Sequence, residues 1–363
     1  MRRLGISIYP EHSTKEKDFA YMEMASKLGF TRIFTCLLSV NKPKEEMMQE
    51  FKEYMDKAHE LGFEVAVDTN GAVFEHLGAK PNDLKPFHDM GVDIVRLDVS
   101  FGAFLDVLTT QNPYGLKIEF NGSGPSDNVE NMLKLGARRD QMLICHNFYP
   151  EKYTGLDFDL FMNLSKRWKE LGFTTAAFVS SANDPTFGPW EVYSGLPTIE
   201  LHRHLPIDVQ ARHLFATGLI DDVIIGNAYA SKEELEALSK VDLNVSEMTI
   251  VLEDTISKEE EKILFENTHV GRGDYSSYMI RSSGTRGLYR ETAIPYVKKE
   301  QTHFKRGDVV IVNDNLKHYR GEVQIVLQDM ENDGERNLVG HIDEKELIIL
   351  DQIKPWQAFK FIK

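Results

Sequence analysis

Two carboxylates end apolar runs of the chain, Asp68 in "VAVDTN" and Asp98 in "IVRLDVS", and a third, Glu200, sits in the polar stretch "TIELHRH". Paired carboxyls suit the hydrolysis of a glycosidic bond, in which one donates a proton to the leaving oxygen and the other acts as nucleophile or base. Arg96 lies two residues before Asp98 and so shares its face of a strand. An arginine there keeps one carboxyl charged, while burial raises the pKa of another, and this argues for Asp98 as the charged partner of Arg96. The plainer alternative is that Arg96 and Asp98 only neutralise each other. Around these groups stand Tyr9, Asn121 and the stretch "HNFYPEKYTG", which brings His146, Asn147, Tyr149 and Tyr153. Amides and aromatic rings of this kind hold hydroxyl-rich ligands, the rings stacking on sugar faces.

Other chemistries lack their residues. No lysine stands at the end of an apolar run to form a Schiff base. The only His-x-His, His202 and His204, has a single companion in His146, so no metal site is expected. No G-x-G-x-x-G turn follows a strand, and no cofactor is expected. Gly122-Ser123-Gly124-Pro125 reads either as a phosphate cradle or as a plain turn and cap. The net charge of −15 disfavours nucleic acid and acidic membranes. Cys36 and Cys145, the only two cysteines, lie in apolar stretches and read as buried free thiols of a reducing compartment. The first apolar run is broken by Tyr9, Pro10 and Glu11, and nothing approaches the ~20 apolar residues of a membrane span. The expected location is the cytoplasm; the oligomeric state stays open.

The elements that must position these groups repeat. A helical pattern, then Leu-Gly-Phe or a variant, then a β-branched run recurs in "KLGFTRIFTCLLS", "ELGFEVAVDTN", "DMGVDIVRLDVS", "ELGFTTAAFVSS" and "TGLIDDVIIGN". The glycine closes a helix in the left-handed conformation, and the apolar run that follows is a strand buried on both faces. With "RLGISIYP", "GLKIEFNG" and "DQMLICHNFYP" the strands number eight. Amphipathic helices such as "KEEMMQEFKEYMDKAHEL" and "DLFMNLSKRWKEL" fall between them. The fold expected is α/β: a (β/α)8 TIM barrel over residues 1–243, whose strand exits gather on one face, and a small β-barrel domain over 244–363. In the second domain "SSYMIRSS", "GDVVIVND", "GEVQIVLQD", "NLVGHI", "ELIIL" and "AFKFIK" read as strands, with a turn at Asn332-Asp333-Gly334. Glu119 reads as a buried partner or as a further functional carboxyl. Residues 181–206 far exceed the usual ~2–6 of a βα loop and read as a lid or binding element. They carry Trp190, Glu191, Tyr193, Glu200, His202, Arg203 and His204.

The segments "GISIYP", "VRLDVSFG", "NGS", "HNFYPEKYTGL", "GLPTIELHR" and "RGDVVIVNDNLKHYRGEVQI" resemble a bacterial 6-phospho-N-acetylmuramidase family, formerly called "outer surface protein". The resemblance runs through both domains. It implies a TIM barrel followed by a cyclophilin-like β domain, and a cytoplasmic enzyme of cell-wall recycling. Its implied substrate is the disaccharide N-acetylmuramic acid 6-phosphate–N-acetylglucosamine, taken up by a phosphotransferase system. Many barrel glycosidases place glutamates at the exits of strands four and seven, whereas here those exits carry Asp98 and Ser180-Ser181. Roles are therefore not copied from those enzymes. The expected catalytic pair is Asp68 and Asp98, with Glu200 as substitute if the lid closes. Tyr9, Arg96, Asn121, His146, Asn147, Tyr149, His202 and Arg203 are the expected substrate-binding residues. Arg203, His202 and Lys152 are expected to meet the 6-phosphate, because an acidic protein must hold a dianion with local positive charge. The Arg-rich stretch with Arg272, Arg281, Arg286 and Arg290 reads either as a cover for the site or as a solvated face. A phosphosugar-binding sensor, or an isomerase or epimerase on the same barrel, is the alternative.

Overall fold

The structure, a computed structural model, describes residues 2–192 and 194–363; Tyr193 lies outside the described residues. The chain divides into two compact units, one running to Leu214 and including Gly218–Lys240, the other comprising Phe215–Thr217 and Val241–Lys363.

In the first unit eight parallel strands close into a barrel in sequence order: β1 (Arg3–Ser7), β2 (Arg32–Cys36), β3 (Glu64–Thr69), β4 (Ile94–Leu97), β5 (Lys117–Asn121), β6 (Met142–Cys145), β7 (Thr175–Val179) and β8 (Asp222–Ile225). Around them run α1 (Lys15–Lys27), α2 (Lys44–Glu60), α3 (Gly71–Leu77), α4 (Lys85–Asp89), α5 (Ala103–Thr110), α6 (Asn128–Lys134), α7 (Phe158–Glu170), α8 (Ile207–Ala216) and α9 (Lys232–Ser239). The repeated glycine does what its phrase implies: Gly29, Gly62, Gly91, Gly172 and Gly218 all have φ between 73° and 85°. Only a residue without Cβ takes that turn at little cost. Helix α2 buries Met47, Phe51, Tyr54, Met55 and Ala58 at three- and four-residue spacing, each large side chain contributing about 1.5–3 kcal/mol.

The inside of the barrel is divided chemically. Tyr9, Phe34, Cys36, Cys145, Ala176, Phe178 and Ile224 form one apolar cluster. Charges occupy the rest: Arg3 donates to Asp222 (2.7 and 2.8 Å) and to Glu64 (2.6 Å), and Arg32 donates to both Asp222 and Glu119. Glu119 is fully buried, so it is a core partner of Arg32, not a group open to a ligand. Both cysteines are free and buried, and burial pushes the Cys36 thiol up to about 12.

The second unit contains β9 (Ser246–Leu252), α10 (Lys258–Phe265), β10 (His269–Val270), β11 (Met279–Ser282), α11 (Gly284–Leu288), β12 (His303–Phe304), β13 (Asp308–Val312), β14 (Val323–Val326), β15 (Met330–Glu331), β16 (Arg336–Ile342), α12 (Leu347–Leu350) and β17 (Ala358–Ile362). Seven of its strands form one sheet in the order β10-β17-β9-β16-β13-β14-β11. Its edges nearly meet, since His269 of β10 lies 3.2 Å from the Ser282 hydroxyl of β11. The segment "ELIIL" is not a strand. Asp343 caps a 3-10 turn over Glu344–Glu346, the Glu346 carboxylate accepts from Thr249 N–H (2.6 Å) and Oγ1 (2.8 Å), and the apolar residues continue as α12. A short apolar run fits a buried helical turn as well as a strand, and here the cap decides.

Candidate active site

At the C-terminal mouth of the barrel the exits of β3, β4, β5 and β6 are tied to one another. Arg96, 3% exposed, donates through Nη1 to Asp68 Oδ1 and through Nη2 to Asn147 Oδ1. The same Nη1 lies 3.6 Å from Asp98 Oδ1. Asn147 is held in turn: its N–H donates to Ser123 Oγ (2.7 Å), and its C=O accepts from Thr198 Oγ1 (2.8 Å). Asn121 Oδ1 accepts from Ser123 N–H (2.9 Å), which leaves the Gly122-Ser123-Gly124 turn occupied with its own contacts. Arg96 is therefore oriented by groups from neighbouring strands before any ligand arrives.

The two aspartates differ in exposure. Asp68 is 4% exposed, whereas the Asp98 side chain is 37% exposed and lines a cleft of about 260 Å³ with Ser100, Asn121, Ser126, Asn128 and Trp168. The loop bearing Asp98 is fixed by buried Asp106, which accepts from Phe101 N–H (2.9 Å), Asn128 Nδ2 (2.9 Å) and the Ser100 hydroxyl. Burial pushes Asp68 up to about 6; Arg96 opposes this, and the nearby charges of Asp98 and Glu119 add to it. Burial works against the charge of Arg96, but Asp68 and Glu119 outweigh it and raise its pKa. The nearer partner of Arg96 is thus Asp68, not Asp98, the reverse of the sequence reading. Desolvation still wins at Asp68, so the buried carboxyl is the one poised to carry a proton near neutral pH.

The other half of the mouth is covered. Phe187 pairs through its backbone with Ala228 (2.8 and 2.9 Å), and its ring meets Tyr9 and Tyr229 edge-on at centroid distances of 6.4 and 5.1 Å. Trp190, 45% exposed, approaches Phe148 at 6.4 Å. Tyr9 is buried, donates to the Gly226 carbonyl and has its pKa raised by burial; it is a neutral phenol that ties β1 to β8. The connection after β7 thus lies over the apolar cluster, while Asp98 and Asn121 line the cleft at the β4 and β5 exits.

Several expected site residues are placed elsewhere. His146 is fully buried against α7, bonded to Ser165 Oγ (2.9 Å) and packed on Phe161; burial lowers its pKa to about 3. His202 turns towards α8 and bonds His213 (2.8 Å), and burial lowers both pKa values, that of His213 to about 4. Neither histidine reaches the mouth. Glu200 accepts from Tyr153 N–H and Gly155 N–H (both 2.9 Å) and from Arg203, whose hydrogen bond is the main reason its pKa falls to about 2. Such a carboxylate is no proton donor. The Arg203 guanidinium is spent on Glu200 and on the carbonyls of Tyr149 (3.1 Å), Glu151 (3.0 Å) and Ser194 (2.8 Å), so it offers nothing to a phosphate. Tyr149 is half-buried, its N–H on the Pro197 carbonyl (3.0 Å). Glu200 and Arg203 form a clamp between the loops after β6 and β7. Of the three cations expected at a phosphate, Lys152 alone is exposed. Ser123 was read only as part of a turn, and Thr198 and Asp106 were not foreseen: Thr198 lies far along the connection after β7 and Asp106 inside α5, where no short motif marks them.

Among the described residues no group of three or more His, Cys, Asp or Glu is placed to hold a metal ion. No helix among them is long and apolar enough to cross a membrane.

Comparison with known proteins covers the chain almost end to end. The family profile "6-phospho-N-acetylmuramidase, N-terminal" matches residues 4–240, and "6-phospho-N-acetylmuramidase, C-terminal" matches 246–362. The crystal structure of an uncharacterized Bacillus cereus protein is similar over 100% of this chain and 99% of its own, at 45% identity and a TM-score of 0.91. A conserved Enterococcus faecalis protein of unknown function shares the fold, at 24% identity and a TM-score of 0.71 over 99% of this chain and 96% of its own. A search of curated proteins gave no match.

Proposed function

Because the chain belongs to the 6-phospho-N-acetylmuramidase family, we propose that it hydrolyses the glycosidic bond of N-acetylmuramic acid 6-phosphate–N-acetylglucosamine, with Asp68 and Asp98 as its carboxyl pair. The observation that carries this reading is a buried carboxyl with a pKa of about 6 beside a solvent-facing one on the next strand, with an arginine between them. Asp68 gives its proton to the leaving glycosidic oxygen. Arg96, already bonded to it, stabilises the carboxylate that remains. Asp98, open to the cleft, acts on the anomeric carbon as nucleophile or on water as base. Exposed Trp190 and the cleft amide of Asn121 suit a sugar ring and its hydroxyls. We place the reaction in the cytoplasm, in the recycling of cell-wall sugars, on a substrate that arrives already phosphorylated.

The test is incubation with phosphorylated and unphosphorylated muramyl disaccharides, followed by mass spectrometry of the products. N-acetylglucosamine released from the phosphorylated compound, and lost in Asp98→Asn, supports the reading. An unchanged glycosidic bond in both compounds would leave a binding protein or an isomerase in its place.

A further inference from the structure

The acid balance of the chain is broken at one place in the second unit. Helix α11, the residues just after it and the 3-10 segment Asp314–Tyr319 with Arg320 enclose a pocket of about 470 Å³ lined by Arg286, Gly287, Arg290, Lys317, His318 and Arg320. The chain holds 57 acidic against 42 basic residues, yet no acidic side chain lines this pocket. Arg286 lies over the Tyr319 ring, 4.7 Å from its centre, with Nη2 3.4 Å from His318 Nε2. Tyr319 also carries Arg281 at 5.9 Å, but Glu322 meets that guanidinium at 2.7 Å. Arg286 has no carboxylate partner among the described residues. Lys317 is exposed, with no ion pair among those residues. Arg290 reaches only Glu291, at 4.0 Å with both side chains exposed. Arg320 is anchored on Asp314 (2.8 Å) and on the Arg290 carbonyl, while its Nε is buried without a partner.

We propose that this pocket binds a phosphomonoester dianion. Guanidinium groups present paired N–H donors that match two oxygens of a phosphate, and those of Arg286 and Arg320 are held in place beforehand by an aromatic face and by Asp314. Local positive charge is what a dianion needs on a protein that repels it at long range. The volume exceeds that of a bare phosphate, so a small organic group such as a sugar fits with it. The inference does not depend on the hydrolase reading, since it concerns binding alone.

The test is calorimetric titration of the full chain with inorganic phosphate and, separately, with glucosamine 6-phosphate, in the parent, in Asp98→Asn and in the double variant Arg286→Glu/Lys317→Glu. Binding that persists in Asp98→Asn but weakens roughly tenfold or more in the double variant supports the site. Tighter binding of the sugar phosphate than of phosphate assigns it to a phosphosugar, and equal binding assigns it to free phosphate. If charge reversal unfolds the protein, Arg286→Gln/Lys317→Gln serves, with the same weakening expected. Equal affinity in parent and folded double variant, or no binding of either compound at about 10 mM, overturns the proposal.

Discussion

Replacing Asp68 with Asn should abolish turnover and at the same time stabilise the fold. The carboxyl is buried, and its pKa rises from 3.8 to about 6 despite the arginine bonded to it. That rise corresponds to about 3 kcal/mol against the charged form when the protein folds at neutral pH. Asparagine keeps the acceptor for Arg96 and never ionises, so the variant escapes the penalty. For a barrel of this size about 3 kcal/mol is roughly 6–12 °C in Tm. The pH dependence fixes the cause. The folded state binds the Asp68 proton more tightly than the unfolded chain does, so protonation favours folding. The advantage of the variant is therefore full above pH 6, shrinks as pH falls towards 4, and vanishes below. Calorimetry of parent and Asp68→Asn between pH 8 and 4.5, alongside release of N-acetylglucosamine, measures both halves. A variant less stable than the parent at pH 7, or a Tm gap that does not change with pH, would show that Arg96 holds Asp68 charged and would remove it as the acid.

Asp98→Asn should lower kcat by about 10²- to 10⁴-fold, the range for loss of a positioned carboxyl, with an unchanged melting profile because the side chain faces the cleft; near-full activity would take Asp98 out of the mechanism. Glu200→Gln should weaken the clamp on Tyr153 and Gly155, costing about 1–2 kcal/mol. Faster hydrogen exchange at those amides, with kcat largely kept, is the expected reading, and loss of turnover alone would contradict it. The four buried histidines, His146, His202, His213 and His269, should make the fold acid-sensitive: each has a pKa lowered by burial, so the unfolded state takes up protons first as pH drops below about 6.5, removing about 1.4 kcal/mol per histidine per pH unit. Asp68 offsets one such proton between pH 6 and 4. His213→Phe should flatten the fall of stability from pH 6.5 to 5, and an unaltered slope would refute the assignment.

The barrel was legible because its signals are local. Five glycines close helices before apolar runs, and a left-handed glycine followed by a doubly buried strand has few other structural meanings. The period of a strand put Arg96 on the face of Asp98, which it approaches at 3.6 Å, but the carboxyl it hydrogen-bonds is Asp68. What the sequence left open was direction across strands: whether Arg96 would lean on Asp98, two residues away, or on Asp68, its register partner on β3. His146 misled for a related reason. It stands immediately after β6, but alternation turns it outward to Ser165 of α7, while Asn147, one residue on, faces the mouth. Reading strict alternation through Cys145, His146 and Asn147 would have separated them. Arg203 and Glu200 satisfy one another three residues apart in a tight turn, a local solution that a list of charged residues does not reveal.

The ion pairs inside the barrel look expensive for stability, since burying charges seldom repays its desolvation. Their position supplies a reason for keeping them. Glu119 is the deep partner of Arg32, and it is also one of the negative charges that raise the Asp68 pKa. Arg96 pulls the other way through its bond to Asp68. The proton affinity of Asp68 is thus set first by burial, with Arg96 beside it opposing the rise and the charges of Asp98 and Glu119 adding to it. Apolar residues in place of Arg32 and Glu119 would fill the same space, but they would take away one of the charges that add to the effect of burial on Asp68, and so loosen its hold on the proton that a departing sugar needs.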